Sequence, residues 1–419
     1  KTFNINMQGL VKIIIGLTLL VAFAFAKLQD TLPIENLQFA DPKLSAYVIA
    51  RIPSARQIVV TSDRKLLIAG SLSGTVYAVH LSTDAKGRLI QTPSTELVTV
   101  AAGLSNAHGV AVDDASGDIY IGYADGISLV KAGATDIKKK ETPVAPITLR
   151  SLPKAVDEGA MHNRRHLKLK GGRIYVSVGA PCDACEVSDP MGTIASFKYN
   201  TLVEADQDWR IEARGIRNTV GFSFHPTTSD LWFTDNGIDT ADGSANDELN
   251  KIAANQVSAK HYGFPYCFDK TFINSEFNKN NTCSPYVPAE YVLGSHVAAL
   301  GMTFFSYNNK QTIIIAERGS MNITNPTGYR LTTVDPTNSA DSSYKPFVTG
   351  FFKNGAAWGR PVDVFSTNNQ LVVSDDKAGA IYGISASSTP EPSASTTIQV
   401  ASTFTLAMLF IVQLLVQFL

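Results

Sequence analysis

VGFSFHPTTSDLWFTDNG, residues Val220 to Gly237, is the stretch that decides the fold. Two short apolar runs flank the polar turn TTSD, and neither has helical spacing. Runs of Val, Phe, Leu and Trp bounded by Gly, Pro, Asp and Asn read as β-strands joined by a turn. The segment ELNKI, beginning at Glu248, closes the unit as a third strand.

The same pattern recurs along the chain. It is present in Gln57 to Leu81, in Gly109 to Ala132, and in His166 to Gly179 paired with Thr193 to Asn200. It returns after Val220, in LGMTFFS with TIIIAERG and YRLTTVDP, and in Arg360 to Ser385. The middle strands are expected to begin near Leu66, Asp118, Arg173, Asp230, Thr312 and Gln370. That spacing, mostly roughly 50 to 60 residues, is close to a propeller-blade period. A sandwich does not explain a repeat of this length. The expected fold is all-β, a six-bladed β-propeller whose radial repetition protects its strand edges.

In such a fold the loops before the inner strands converge on the mouth of a central channel. Arg56 precedes the inner strand of the first unit and His108 that of the second. His162 and Arg165 precede the third, Arg217 and Asn218 the fourth, His296 the fifth, and Arg360 the sixth. Each could cap its own blade by bonding loop carbonyls. Six in register instead suit an anionic or quinone-like ligand, because guanidinium groups pair well with carboxylates. After the fourth middle strand the run DNGIDTADGSANDE carries Asp235, Asp239, Asp242, Asp247 and Glu248. Oxygen donors at that density suit calcium, although the spacing is not that of an EF-hand. The other reading is a solvated acidic loop.

Taken together and in order, several segments resemble the glucose/sorbosone dehydrogenase family. They are HNRRHL followed by GGRIYVSVG (His162 to Gly179), GIRNTVGFSFHP (Gly215 to Pro226), LWFTDNG with DELN, and HYGFPYC (His261 to Cys267). HVAALGMTFF (His296 to Phe305) and WGRPVDV with VSDDKAGAIY (Trp358 to Tyr382) complete the set, so the resemblance spans about Arg51 to Ser385. The family comprises six-bladed propellers that bind pyrroloquinoline quinone, among them soluble aldose, L-sorbosone and fungal pyranose dehydrogenases.

The resemblance implies that His162 is a catalytic base for a sugar hydroxyl, imidazole being suited to proton transfer near neutral pH. It implies that Arg217 and Asn218 lie beside the reactive quinone carbonyl, where Arg217 stabilises developing negative charge. Gly237 and Ile238 would offer backbone carbonyls to a calcium ion. Arg360, with Arg318, Arg56 and Arg165, would hold the cofactor's carboxylates, and His296 belongs to the same cofactor-binding set. One departure stands out. Where sorbosone-type members often read HGSWNR, this chain reads RGSMNI from Arg318 to Ile323. Two readings from other classes are a cofactor-free extracellular binding module and a calcium-dependent propeller lactonase. No GxGxxG follows a strand and opens a helix, which disfavours a dinucleotide enzyme.

Of the 419 residues, 44% are apolar, enough for one large core or two ordinary ones, and the formal net charge is −1. That balance gives no reason to expect nucleic acid as a partner. IIIGLTLLVAFAFA, ending at Ala26, has the length and A-x-A close of a signal peptide, so residues 1–26 are expected to be removed. The propeller is then residues 27–385, and 386–397 form a Ser/Pro/Thr-rich linker. Residues 398–419 are an uncharged apolar tail, read as a GPI-anchor signal or a membrane anchor, with attachment somewhere in Ser387 to Ser395.

Both ends predict an extracellular, membrane-tethered protein, where disulfides persist. The nearest pairing is Cys182 with Cys185 and Cys267 with Cys283, though four cysteines allow three connectivities. Asn280 and Asn322 lie in glycosylation sequons. Glu186 follows Cys185, so there is no haem signature, and electrons would leave to a separate acceptor.

Overall fold

The computed structural model describes residues 32–132, 143, 145–153, 162–239, 245–307, 309–321, 324–338 and 340–386. The leader, the apolar tail with its attachment region, Asp242 and the sequon residue Asn322 lie outside the described residues.

Six antiparallel sheets follow one another along the chain, as the repeat predicts. Blade 1 is built on Ala55–Val60, Leu66–Ser71 and Val76–Thr83. Blade 2 holds Gly109–Val112, Ile119–Tyr123, Gly126–Val130 and Ile147–Ser151. Blade 3 holds Leu167–Lys170, Arg173–Val178, Thr193–Lys198 and Arg210–Arg214. Blade 4 holds Gly221–Phe224, Leu231–Asp235, Asn246–Ile252 and Tyr291–Ser295. Blade 5 holds Ala299–Tyr307, Lys310–Glu317, Arg330–Val334 and Lys345–Thr349. Blade 6 holds Pro361–Thr367, Gln370–Asp375 and Ala380–Ala386. Its fourth strand comes from the other end of the chain, Leu44–Arg51, which pairs antiparallel with Ala380–Ala386.

The three-strand paragraph of the sequence therefore misses one strand per blade. The outer strands carry weak signals: Ile147–Ser151 buries only Leu149 fully. A half-exposed edge strand does not need an apolar run.

The core is divided between neighbouring blades. Phe222, Leu231 and Phe233 of blade 4 pack on Ile194 and Ala213 of blade 3, and Met302 and Ile313 of blade 5 pack on Trp232 and Leu249. Each fully buried side chain of this size contributes roughly 1.5–3 kcal/mol. Polar side chains pin the inner strands to one another. The Gln57 amide accepts from Val110 N at 3.2 Å and Leu167 N at 2.9 Å and donates to the Leu167 carbonyl at 2.7 Å, joining three blades. Asp363 accepts Ile58 N at 2.9 Å, closing blade 6 on blade 1. The loops entering the inner strands are thereby held to one end of the ring.

Candidate active site

His162 stands at the end of the loop entering blade 3 and is buried, 7% exposed. Its Nδ1 lies 2.9 Å from the carbonyl oxygen of Ala180, just past the middle strand of the same blade. A carbonyl can only accept, so Nδ1 carries the proton and Nε2 keeps a bare lone pair. Burial, reinforced by the Arg217 charge and opposed by the Ala180 bond, lowers the imidazole to about 4. The sequence suggested a group titrating near neutrality. The structure instead holds His162 as a neutral base across the physiological range, because a buried imidazole beside a guanidinium resists a second positive charge.

Arg217 comes to the same place. Its side chain is 3% exposed, with Nη2 at 2.6 Å from Asp183 Oδ1 and 2.9 Å from Asp239 Oδ2. Asp235 fixes the loop beneath, accepting Arg217 N at 2.8 Å and Asn218 N at 2.7 Å. Asn218 donates to Asn236 Oδ1 at 3.0 Å, while its own Oδ1 is buried and finds no protein partner. A buried acceptor left open in this way points to a group that enters the site.

The described carboxylates of the acidic run are engaged by amide donors. Asp247 accepts Gly237 N at 3.0 Å and Ala299 N at 2.8 Å, and Glu248 accepts from Asn250 at 2.7 Å and from Asp269 N. Burial pushes Asp235 up to about 6, Asp247 up to about 7, and Glu248 well above its ordinary range, with their amide partners pulling the other way. Asp235 thus caps the loop entering blade 4, Asp247 ties blade 4 to blade 5, and Glu248 bonds within blade 4 and to the Asp269 amide. Among the described residues no three His, Cys, Asp or Glu side chains converge on a metal. Ile238 packs with Ala180, Ala245, Phe264 and Phe268. A cation beside this loop would draw on neutral backbone carbonyls, the donors expected at Gly237 and Ile238.

Across the mouth lies a cluster of guanidinium groups. Arg56, 1% exposed, donates from Nε to His108 Nδ1 at 3.0 Å and pairs with Asp376 at 2.7 Å. Arg318 reaches the same carboxylate oxygen at 2.8 Å. Arg360 bonds the Tyr329 hydroxyl at 3.0 Å and the Ser320 carbonyl. Met321, 71% exposed, touches both Arg318 and Arg360 through its sulfur, at 3.9 and 3.4 Å.

Arg164 completes the cluster. Its field reaches Arg56, His108 and His162, and its own value is lowered by burial and by Arg318. Burial and then Arg164 lower Arg56 to about 9. Burial also raises Asp376, but Arg56 and Arg318 more than offset it and hold the carboxyl below its ordinary value. Guanidinium groups crowded around one carboxylate leave excess positive charge, and a bound polyanion would relieve it. The residues present therefore fit a polycarboxylate such as pyrroloquinoline quinone.

Two expectations about individual residues change. Arg165, 0% exposed, bonds the Ala124 and Pro153 carbonyls at 3.1 and 2.5 Å, so it ties the loop to blade 2. Its neighbour Arg164 is the one whose charge is felt by Arg56, His108 and His162. No spacing signal separates two adjacent arginines in a loop. Arg56 is similarly covered, and acts on the mouth through Asp376 and His108. His296 precedes the blade 5 inner strand at φ 56°, with its carbonyl bonded to Thr327.

Both expected disulfides form, Cys182 with Cys185 and Cys267 with Cys283. Asn280 is exposed in the segment that the second bridge closes. The first bridge stands next to Arg217 through Asp183, a contact the sequence reading missed.

Residues 40–387 match the TrAA12-like family. An uncharacterized protein of Borreliella burgdorferi is 30% identical over 382 residues, which is 87% of this chain and 93% of the relative. The calcium structure of Trichoderma reesei Carbohydrate-Active Enzymes Family AA12 superposes with a TM-score of 0.71 at 21% identity, covering 85% of this chain and 98% of that one. The holo form of the pyranose dehydrogenase PQQ domain from Coprinopsis cinerea gives 0.66 at 16% identity, covering 83% and 97%. The PQQ-bound aldose sugar dehydrogenase of Streptomyces coelicolor gives 0.54 at 18%, covering 82% and 99%. At these identities the solved structures speak for the fold. The match over residues 40–387 narrows the broader resemblance, and the chain belongs to the TrAA12-like family.

Proposed function

We propose that this protein is a pyrroloquinoline quinone-dependent dehydrogenase that oxidises a hydroxyl-bearing carbon of an aldose or related pyranose. The observation that carries the reading is His162, a neutral imidazole with a bare Nε2, beside Arg217 and facing a guanidinium cluster.

His162 Nε2 takes the proton of the sugar hydroxyl, and the Nδ1 bond to Ala180 fixes the ring and its tautomer. Arg217 presents fixed positive charge where negative charge develops. Arg164, Arg318 and Arg360 bind and orient carboxylates from the opposite side of the mouth. When bound, the quinone supplies the two-electron acceptor that takes hydride from the sugar carbon as the C–OH becomes C=O. In this reading calcium would be held by the backbone carbonyls of Gly237 and Ile238, and the electrons would leave to an external acceptor. The two disulfides support an extracellular site of action, and a C-terminal membrane tether belongs to the same proposal.

The test is reconstitution. The protein is mixed with calcium and pyrroloquinoline quinone and assayed for dye reduction across a panel of aldoses, with His162→Ala alongside. Quinone-dependent turnover that is lost in the variant supports the reading. Absence of quinone binding by the wild type sinks it.

A further inference from the structure

The four-residue loop closed by Cys182 and Cys185 carries Asp183 to the wall on which Arg217 stands. Three of the hydrogen bonds on this residue bear on the site. Its carbonyl oxygen accepts Arg217 Nε at 2.9 Å, and its Oδ1 accepts Arg217 Nη2 at 2.6 Å and the backbone amide of Asp239 at 2.8 Å. Asp183 thus holds the Arg217 side chain and, at the same time, the backbone that directly follows Gly237 and Ile238. The second carboxylate on Arg217, Asp239, is 58% exposed, and an exposed carboxylate alone is a weak clamp.

We propose that Asp183 is the positioning residue for Arg217, and that the Cys182–Cys185 bridge serves the site by fixing Asp183. The inference rests on the sugar-dehydrogenase reading for what Arg217 does, but not for how Arg217 is held. A guanidinium engaged at both Nε and Nη2 from one residue is fixed in plane and rotation. A bond at Nη2 alone leaves it free to swing. Closing the loop covalently restricts the conformations Asp183 can take, so its three bonds form with less ordering cost.

The experiment uses the full chain in four forms: Asp183→Ala, Asp183→Asn, the pair Cys182→Ser with Cys185→Ser, and that pair combined with Asp183→Ala. Pyrroloquinoline quinone binding is measured by titration calorimetry, sugar kcat and KM separately, and exchange of the Arg217 Nη2 protons by NMR in ligand-free protein. Asp183→Ala is expected to weaken quinone binding about tenfold and to lower kcat more than it raises KM. It leaves the carbonyl bond to Nε in place but removes the Oδ1 bond, so it should speed Nη2 exchange while the melting temperature stays near that of the wild type. Asp183→Asn keeps the Oδ1 and carbonyl acceptors and should recover most of each property. The serine pair should reproduce the alanine variant, and the combination should lose little more, since both act through one contact.

Wild-type quinone affinity and slow Nη2 exchange in Asp183→Ala would overturn the inference. A full additional loss in the combined variant would overturn the role given to the bridge. If the wild type binds no quinone, the functional reading fails, while the exchange measurement still decides whether Asp183 holds Arg217.

Discussion

Gly179 makes room for His162: a Cβ at position 179 would lie 2.7 Å from both the Cβ and the carbonyl oxygen of His162. The middle strand of blade 3 and the loop that brings in the imidazole touch backbone to backbone at this point. Only hydrogen fits between them.

Gly179→Ala is therefore expected to push His162 off its Ala180 bond. A near-attack geometry lost by about 1 Å costs on the order of 10²-fold in rate. Overpacking should also cost about 1–3 kcal/mol of stability. Steady-state kinetics and denaturant unfolding of the same preparation check both. An unshifted rate would mean that the loop relaxes without moving the ring.

His162→Gln should lower sugar oxidation about 10²- to 10⁴-fold while quinone affinity changes little. In the wild type the base must be neutral, and burial with the Arg217 charge lowers it to about 4. Protonation removes activity as pH falls, so the acid limb of kcat/KM should lie near 4 rather than near the ordinary histidine value of about 6.5. A pH–rate profile that loses its acid-side activity around 6.5 would contradict this.

Arg164 and Arg165 should separate cleanly despite being adjacent. Arg164→Ala removes positive charge felt by Arg56, His108 and His162 and is expected to weaken pyrroloquinoline quinone binding by at least about tenfold. Arg165→Ala opens the bonds to Ala124 and Pro153. It should cost about 3 kcal/mol of folding stability, with no selective loss of cofactor affinity once folded. Calorimetric binding and thermal melts on the two variants decide between these assignments.

Removing the chain through Arg51 takes away the strand Leu44–Arg51 that completes blade 6. The Ala380–Ala386 edge would be left unpaired, and Ile49 and Ala50 would be lost from the packing against Ile58 and Val372. We expect the truncated protein to aggregate or to lose its single cooperative unfolding transition. A truncated form that melts like the full chain would show that the ring closes without this strand.

The blades were legible because each contributes two or three apolar runs between glycine-rich turns, a signal repeated often enough to survive local irregularity. The outer strands were not, since they lie half-exposed and carry weak apolar runs. The closing strand is the clearest instance: Leu44–Arg51 is a local sequence that pairs only with residues more than three hundred positions away.

The sequence by itself determined the radial repeat and the register of basic residues ahead of the inner strands, and offered the nearest-neighbour disulfides as one of three connectivities. These are local properties: strand period, loop position and cysteine spacing. Only the tertiary structure decided that Arg165 bonds the Ala124 and Pro153 carbonyls, that Asp235, Asp247 and Glu248 accept from amides, and that Asp183 bonds Arg217. Those outcomes depend on which donors and charges meet across blades, and on how far each group is withdrawn from water. Closure of the ring sets both.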